Sequence, residues 1–353
     1  MDREDFIFLG TFENQVNVGI GRDAIFFKES AHDFFGTLKI LPPIEVDSKI
    51  RRLANLLSLM IKQFALLIVK VGKPKPNMKI VYHPQIPTTR TPRFPIANTI
   101  QVVRIHDIFP ITNPEWFPRG VKFHFKVQLK LLNTAGAVFI CNSEYTRTEL
   151  QSLIKVRNKC YVVGCPIDKP NVLLSCGICE VCSDSRILET KFAFSLGTIE
   201  PRKNFDFISR EWPEVWRQTK ANLVIAGNSG WKMPKIFNTD TSVFYVGKVC
   251  DSALYKLYST ASIYIAPSKA EGFDIPFHEA QKFNLTILAS DIPVHQDFNV
   301  TLFSIKDSVE FRTKAVDLLR NDKRKTHYTF PNYSVDLINI WKSLRLELRG
   351  ESN

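Results

Sequence analysis

From Lys191 onward, short β-branched and aromatic runs at 192–196, 222–226, 242–246, 262–266, 286–289 and 301–305 alternate with stretches of helical period. Runs that are apolar on both faces belong to a parallel sheet covered by helices on each side, the doubly wound α/β architecture. In such sheets ligands bind beyond the carboxyl ends of the strands. Helices are legible between the runs at 252–261, where Leu254, Leu257 and Tyr258 repeat at helical spacing, and at 307–321. The front half has weaker elements of the same kind at 6–10, 65–71, 80–82, 100–105 and 138–141. Pro166, Pro170 and a cysteine run break the pattern between residues 166 and 190. This predicts a first domain over 1–175 and a second over 186–330. A final helix at 335–348, within 331–353, is long enough to pack back on the first domain.

The 353 residues carry a formal net charge of +12, and the excess is concentrated. Between Ser48 and His106 there are eleven Lys and Arg and no acid. There Arg51, Asn55, Ser58 and Lys62 form one helical face, with Leu53, Leu56, Leu57, Met60 and Ile61 on the other. The basic amphipathic helix suits an anionic membrane surface or an acidic substrate, and equally a core-facing helix with a solvated outside. No nucleic-acid-binding signature accompanies it, so nucleic acid is not expected as a partner. No run of 18 apolar residues lacks a charge or amide, and Met1-Asp2-Arg3-Glu4-Asp5 is the wrong chemistry for a secretory signal. A cytoplasmic location is expected, with peripheral attachment at the inner membrane face as a further possibility, and the sequons at Asn284, Asn299 and Asn332 read as chance. Cys176, Cys179 and Cys182, with Cys165 as a fourth thiolate, have a spacing that can hold zinc or an iron–sulfur cluster. The proline after a fourth cluster ligand and a partner C-x-x-C are both missing, so a reduced surface loop is the favoured reading.

The segment Ile265-Ala-Pro-Ser-Lys-Ala-Glu271-Gly-Phe-Asp-Ile-Pro276-Phe-His-Glu279-Ala280 carries the clearest chemistry. A strand ends near Pro267, a loop follows, and Pro276 marks the start of a helix. Unpaired N–H groups and the positive dipole end there suit a diphosphate. Glu279, one turn inside, can accept bonds from sugar hydroxyls, and Glu271 can hold hydroxyls beyond the phosphates. A second segment, Ser195-Leu-Gly197-Thr198-Ile199-Glu200-Pro201-Arg202-Lys203-Asn204, follows the first strand of the second sheet and brings two cations to its carboxyl end, on the same rim as Glu271. Arg202 and Lys203 can offset a nucleotide leaving group there.

These two segments, together with Ile225-Ala-Gly-Asn-Ser-Gly-Trp231, Phe244-Tyr-Val-Gly247 and Ala289-Ser-Asp-Ile-Pro-Val-His295, resemble the C-terminal domain of the family-four (group 1) retaining glycosyltransferases of the GT-B fold, whose hallmark is Glu-x7-Glu. The resemblance is dense over residues 192–297. In the first half it is sparser, through Gly19-Ile-Gly21-Arg22, His106-Asp107-Ile-Phe-Pro110 and Asn142-Ser-Glu-Tyr-Thr146. It implies two Rossmann-like doubly wound domains facing a central cleft, acceptor side first and donor side second. It also implies transfer of a hexose, in the manner of polysaccharide mannosyltransferases, from a GDP- or UDP-sugar to a glycan or lipid-linked acceptor. The implied chemistry is retention by front-face attack, without metal or cofactor. Residue by residue, Lys203 with Arg202 would hold the diphosphate, within a donor loop that includes Gly197 and Thr198. Glu279 would bind the ribose, and Glu271, Gly272, Phe273, Asp274 and Ile275 the sugar. The base would rest near Val249, Gly21 and Arg22 would close over the phosphates as part of a glycine-rich loop, and His106 would touch the transferred sugar.

Four departures from the pattern stand out: Thr198 for a phosphate-binding Arg, Asp274 for the commoner Gly, Gln281-Lys282-Phe283-Asn284 after the second Glu, and Asp23 for an aromatic. A catalytically weak nucleotide-sugar-binding protein of the same fold is the alternative they leave open. His106 has the further reading of a hydrogen-bonded structural histidine, and His278 and His295 have no role assigned.

Overall fold

A computed structural model describes residues 6–9, 19–35, 38–41, 79–86, 99–167, 169, 189–230, 241–321 and 333–349. The basic segment 51–62, the run 65–71, Trp231 and Cys176, Cys179 and Cys182 lie outside the described residues. The chain divides into two compact units, Met1–Pro166 with Pro331–Asn353, and Ile167–Phe330.

In the first unit β1 (Phe6–Leu9), β2 (Leu38–Leu41), β3 (Lys79–His83), β4 (Thr99–Ile105), β5 (Val138–Cys141) and β6 (Cys160–Val162) form one parallel sheet in the order 2-1-3-4-5-6. Its helices are α1 (Gly19–Phe35), α2 (Phe109–Thr112), α3 (Val121–Thr134) and α4 (Glu144–Leu153). On one face Phe27 of α1 packs with Tyr82, Val102, Ile140 and Trp341, and on the other Leu129, Leu132 and Leu150 cover Val103, Ile105 and Phe139. Alternate residues of β4 and β5 thus serve opposite faces, which is why β5 is apolar throughout and β4, past Thr99, is interrupted only by Gln101 and Arg104.

The second unit holds β7 (Phe192–Leu196), β8 (Asn222–Ala226), β9 (Val243–Tyr245), β10 (Ile263–Ala266), β11 (Thr286–Ser290) and β12 (Thr301–Phe303), all parallel, in the order 12-11-10-7-8-9. Between them run α5 (Phe205–Thr219), α6 (Asp251–Thr260), α7 (Ile275–Lys282), α8 (Pro293–Gln296) and α9 (Ser308–Asn321). Counted from its first strand the order is 3-2-1-4-5-6, so the direction of winding reverses between β7 and β10. Trp212 of α5 and Phe311 of α9 fill one face of the sheet, and Tyr258 of α6 and Phe277 of α7 fill the other.

The last helix, α10 (Tyr333–Arg349), returns to the first unit. Its Leu337, Trp341 and Leu344 are fully buried, and the Trp341 indole N–H donates to Ser30 of α1 at 3.1 Å. Burying three such side chains contributes on the order of 6 kcal/mol, taking roughly 2 kcal/mol each.

Candidate active site at the carboxyl ends of β7 and β10

The winding reversal places the loop after β7 beside the loop after β10. The β7 loop is drawn in by backbone bonds to its other neighbour: Gly197 N–H donates to Ala226 at 3.0 Å, and Ile199 N–H to Asn228 at 3.0 Å. Gly227 must be glycine, since its φ is +139° and a Cβ there would lie 2.0 Å from the Gly197 carbonyl oxygen. Pro201–Lys203 then forms one 3-10 turn, and Asn204, at φ 57°, opens α5 while its amide donates to Pro267 at 3.1 Å. With Lys269 N–H bonded to the Arg202 carbonyl at 2.8 Å, the two loops are fixed to each other.

This framework brings Arg202, Lys203, Glu271 and Asp274 together. Glu271 Oε1 lies 2.7 Å from the Lys203 ammonium and accepts from the Ser268 hydroxyl at 2.7 Å, while Oε2 pairs with Arg202. Arg202 also reaches Glu200 at 2.6 Å, and Lys203 lies 3.4 Å from Asp274 Oδ1. The Lys203 stem crosses Gly197, whose absent Cβ would sit 3.2 Å from its Cε. Burial works against the Lys203 ammonium, but Asp274 and Glu271 outweigh it and hold its pKa above the ordinary value. Burial likewise opposes the Asp274 carboxylate, and Lys203 and His295 overcome it, holding Asp274 well below the usual carboxylate range.

Asp274 precedes α7 with φ 65°, and Pro276 occupies the first turn. Glu279 is one turn further in, 1% exposed, and accepts from Tyr258 at 2.8 Å. Gly272, Phe273 and Ile275 complete the loop, the Phe273 ring lying tilted against His278 with ring centroids 4.4 Å apart. Burial pushes His278 down to about 4, and its Nδ1 bonds Gln281 at 2.8 Å. Thr198 is half-buried beside Gly230, and Val249 packs at the edge of the core near Gly247, whose φ is +65°.

Gly21, Arg22 and His106 belong to the first unit. The glycine-rich segment is a correction: Gly19 and Gly21 form the first turn of α1 and not a loop. His106 follows β4, with Nε2 2.9 Å from the Pro84 carbonyl oxygen and 3.8 Å from Asp23 Oδ2. Burial pushes this imidazole below its ordinary value, with the Asp23 carboxylate opposing.

Asp23 explains its own departure from the aromatic. It accepts two bonds from the buried Arg104, at 2.8 and 2.9 Å, and Arg104 also donates to the carbonyls of Cys141, Val163 and Gly164. One guanidinium thereby ties the ends of three strands to the start of α1. Asp23, His106 and Cys165 have ligand atoms within 4.8 Å of one another, a spacing that can hold a metal. The guanidinium already supplies the positive charge among them, with Nη2 3.6 Å from the Cys165 sulfur, so the cluster is built around arginine. Ser268 and His295 lie inside the quoted segments without a role assigned to them, and Tyr258 and Arg104 lie outside those segments; the distances to the acids they bind reveal what all four do.

Residues 190–321 match the family model described as "Glycosyl transferases group 1". This chain carries a group 1 glycosyl transferase domain. The chain is 27% identical over 219 residues to the serotype-specific mannosyltransferase WbdA of Escherichia coli, a match covering 55% of this chain and 26% of that protein. It is 24% identical over 241 residues to the O-antigen chain mannosyltransferase RfbU of Salmonella typhimurium, covering 65% of this chain and 60% of that one. The chain thus spans about a quarter of the length of WbdA. Among solved structures, Anabaena Alr3699/HepE in complex with UDP and glucose is similar with a TM-score of 0.57 at 13% identity, covering 97% of this chain and 99% of that one. An α,α-trehalose-phosphate synthase (UDP-forming) from Burkholderia vietnamiensis follows with a TM-score of 0.54 at 9% identity, covering 87% and 77%. The fold is GT-B, with one parallel α/β sheet in each unit.

Proposed function

We propose that the protein is a retaining, metal-independent hexosyltransferase that moves mannose from GDP-mannose to a glycan or lipid-linked acceptor in surface polysaccharide synthesis. The observation that carries this reading is the joining of Lys203, Arg202 and Glu271 at the winding reversal, immediately before the start of α7. A diphosphate seated there meets the Lys203 ammonium and the N-terminal amides of α7, both of which gain as negative charge develops on the leaving group. Glu271, already oriented by Ser268, Arg202 and Lys203, takes the sugar hydroxyls, and Glu279, oriented by Tyr258, takes the ribose. The base rests against Val249. In the first unit, taken as the acceptor side, His106, Gly21 and Arg22 are the residues proposed to take part in the transfer. Retention follows when the acceptor hydroxyl attacks the anomeric carbon on the face that the diphosphate leaves. The carbon–oxygen bond to phosphate breaks, and a departing phosphate oxygen takes the hydroxyl proton.

Mannose is favoured because the WbdA and RfbU relatives are both described as mannosyltransferases. Nucleotide release with a panel of GDP- and UDP-sugars tests the proposal. GDP-mannose should turn over fastest, and Lys203→Ala and Glu279→Ala should each reduce kcat/KM at least about 100-fold, the scale of losing one charged transition-state contact. Turnover retained in both variants overturns the assignment. Nucleotide binding without turnover of any sugar would instead mark a binding protein of this fold.

A further inference from the structure

Asp274 holds a left-handed backbone, φ 65° and ψ 68°, that glycine adopts freely and aspartate only when its side chain is held. His295 holds it, with Nε2 3.0 Å from Asp274 Oδ2. The other ring nitrogen, Nδ1, lies 2.9 Å from the Ser290 carbonyl oxygen. A carbonyl oxygen can only accept, so Nδ1 carries a proton. Nε2 and Oδ2 then need a second proton between them, since two lone pairs at that distance repel. If the proton sits on the ring, an imidazolium faces a carboxylate. If it sits on the oxygen, a neutral imidazole faces a carboxylic acid. In both arrangements the Asp274–His295 pair has no net charge.

We infer that His295 is a positioning residue of the donor site, which neutralises Asp274 so that an acidic side chain can stand at the start of α7 without repelling the diphosphate. The inference rests on the reading of Lys203 and the start of α7 as the diphosphate position. The His295 ring is fully buried and stacked on Phe277, with centroids 4.6 Å apart, so it cannot swing to solvent without opening the core. The charged and titratable groups that face the pair are Lys203, at 3.4 Å from Asp274 Oδ1, with Glu271 and Arg202 beyond it, His278 on α7 and the buried Tyr264 of β10. Arg202 and Lys203 are balanced by Glu200 and Glu271. With His295 in place Asp274 adds nothing to that balance. Without His295 the cluster carries one more negative charge at the place where the donor's phosphates arrive.

The test is isothermal titration of GDP and UDP into the full chain, as wild type, His295→Gln, Asp274→Asn and the double variant, each checked by thermal melting. His295→Gln should raise the GDP Kd about tenfold or more, the scale of one uncompensated unit charge a few Å away at an effective dielectric near 20. In the Asp274→Asn background the same change should alter Kd less than about twofold, because the two effects share one cause. An equal loss in both backgrounds, or no loss in His295→Gln alone, overturns the inference. Where His295→Gln does not fold, His295→Asn replaces it in the same two backgrounds, and an equal loss in both again overturns the inference. Wild type that binds neither GDP nor UDP defeats the donor-site reading itself. Wild type that binds while His295→Gln binds equally well defeats only this inference.

Discussion

Buried titratable side chains give the molecule its chemistry and also a measurable pH signature. His83, bonded to Gln101 at 2.7 Å, and His278 are each pushed by burial down to about 4. In the unfolded chain both return to about 6.5. Between those values the unfolded state binds more protons than the folded state, so stability is full above pH 6.5 and is lost as pH falls towards 4. Each histidine should cost roughly 3 kcal/mol over that interval. Urea denaturation across the range should show the fall, and His278→Gln should flatten the part belonging to the second unit. An unchanged slope in that variant would mean that His278 is not neutral when folded. At the same scale, the sequence exposes the acids and cations of the site but not their partners. Glu271 and Glu279 are legible as a spaced pair, whereas the roles of Ser268 and Tyr258 emerge only from contact distances. Asp274 is visible as a departure from glycine. Its compensation, His295, lies 21 residues away and has no metal-like or catalytic spacing to announce it.

Secondary elements were most readable where both faces of a strand are buried. The runs at 192–196 and 222–226 coincide with β7 and β8, because continuous apolar residues have no other stable placement in a two-layered sheet. Leu38–Leu41 and Cys160–Val162 are edge strands of four and three residues, too short to show a period. Gly19 and Gly21 read as a loop only through their resemblance to a glycine-rich family segment, although glycine does carry a helix penalty. They lie in the first turn of α1, where that penalty is smallest and where Asp23 is anchored by Arg104. Glycine has a firmer meaning at the end of β8. Gly227→Ala should destabilise by at least about 3 kcal/mol, from a left-sided φ and a Cβ driven into the Gly197 carbonyl. Gly247→Ala, also at positive φ but with nothing within 4 Å, should cost only about 1 kcal/mol. Guanidinium denaturation of the two variants compares them directly, and equal losses would show that the close approach after β7 and β8 does not constrain the fold.

At the scale of the whole molecule, charge and architecture have separate consequences. None of the described helices is long and apolar enough to cross a membrane. Of the eleven cations between Ser48 and His106, Arg104 is buried against Asp23; the charge of the others, with no acid in the segment, motivates a prediction of attachment to anionic lipid, where a cation near the surface gains about 1 kcal/mol. Sedimentation with anionic vesicles should recover the protein at low salt and release it as ionic strength rises, whereas neutral vesicles should not retain it. No pelleting at low salt would contradict that attachment. The architecture makes the stronger claim, because a sheet whose winding reverses between β7 and β10 has one preferred place for a ligand. Lys203 and Glu271 meet there at 2.7 Å. The most direct test is calorimetric titration of GDP into the wild-type chain and into Lys203→Ala. Saturable 1:1 binding in the first, weakened at least about 100-fold in the second by loss of a buried charge-assisted contact, is the predicted result. Equal affinity in the two proteins would place the nucleotide elsewhere.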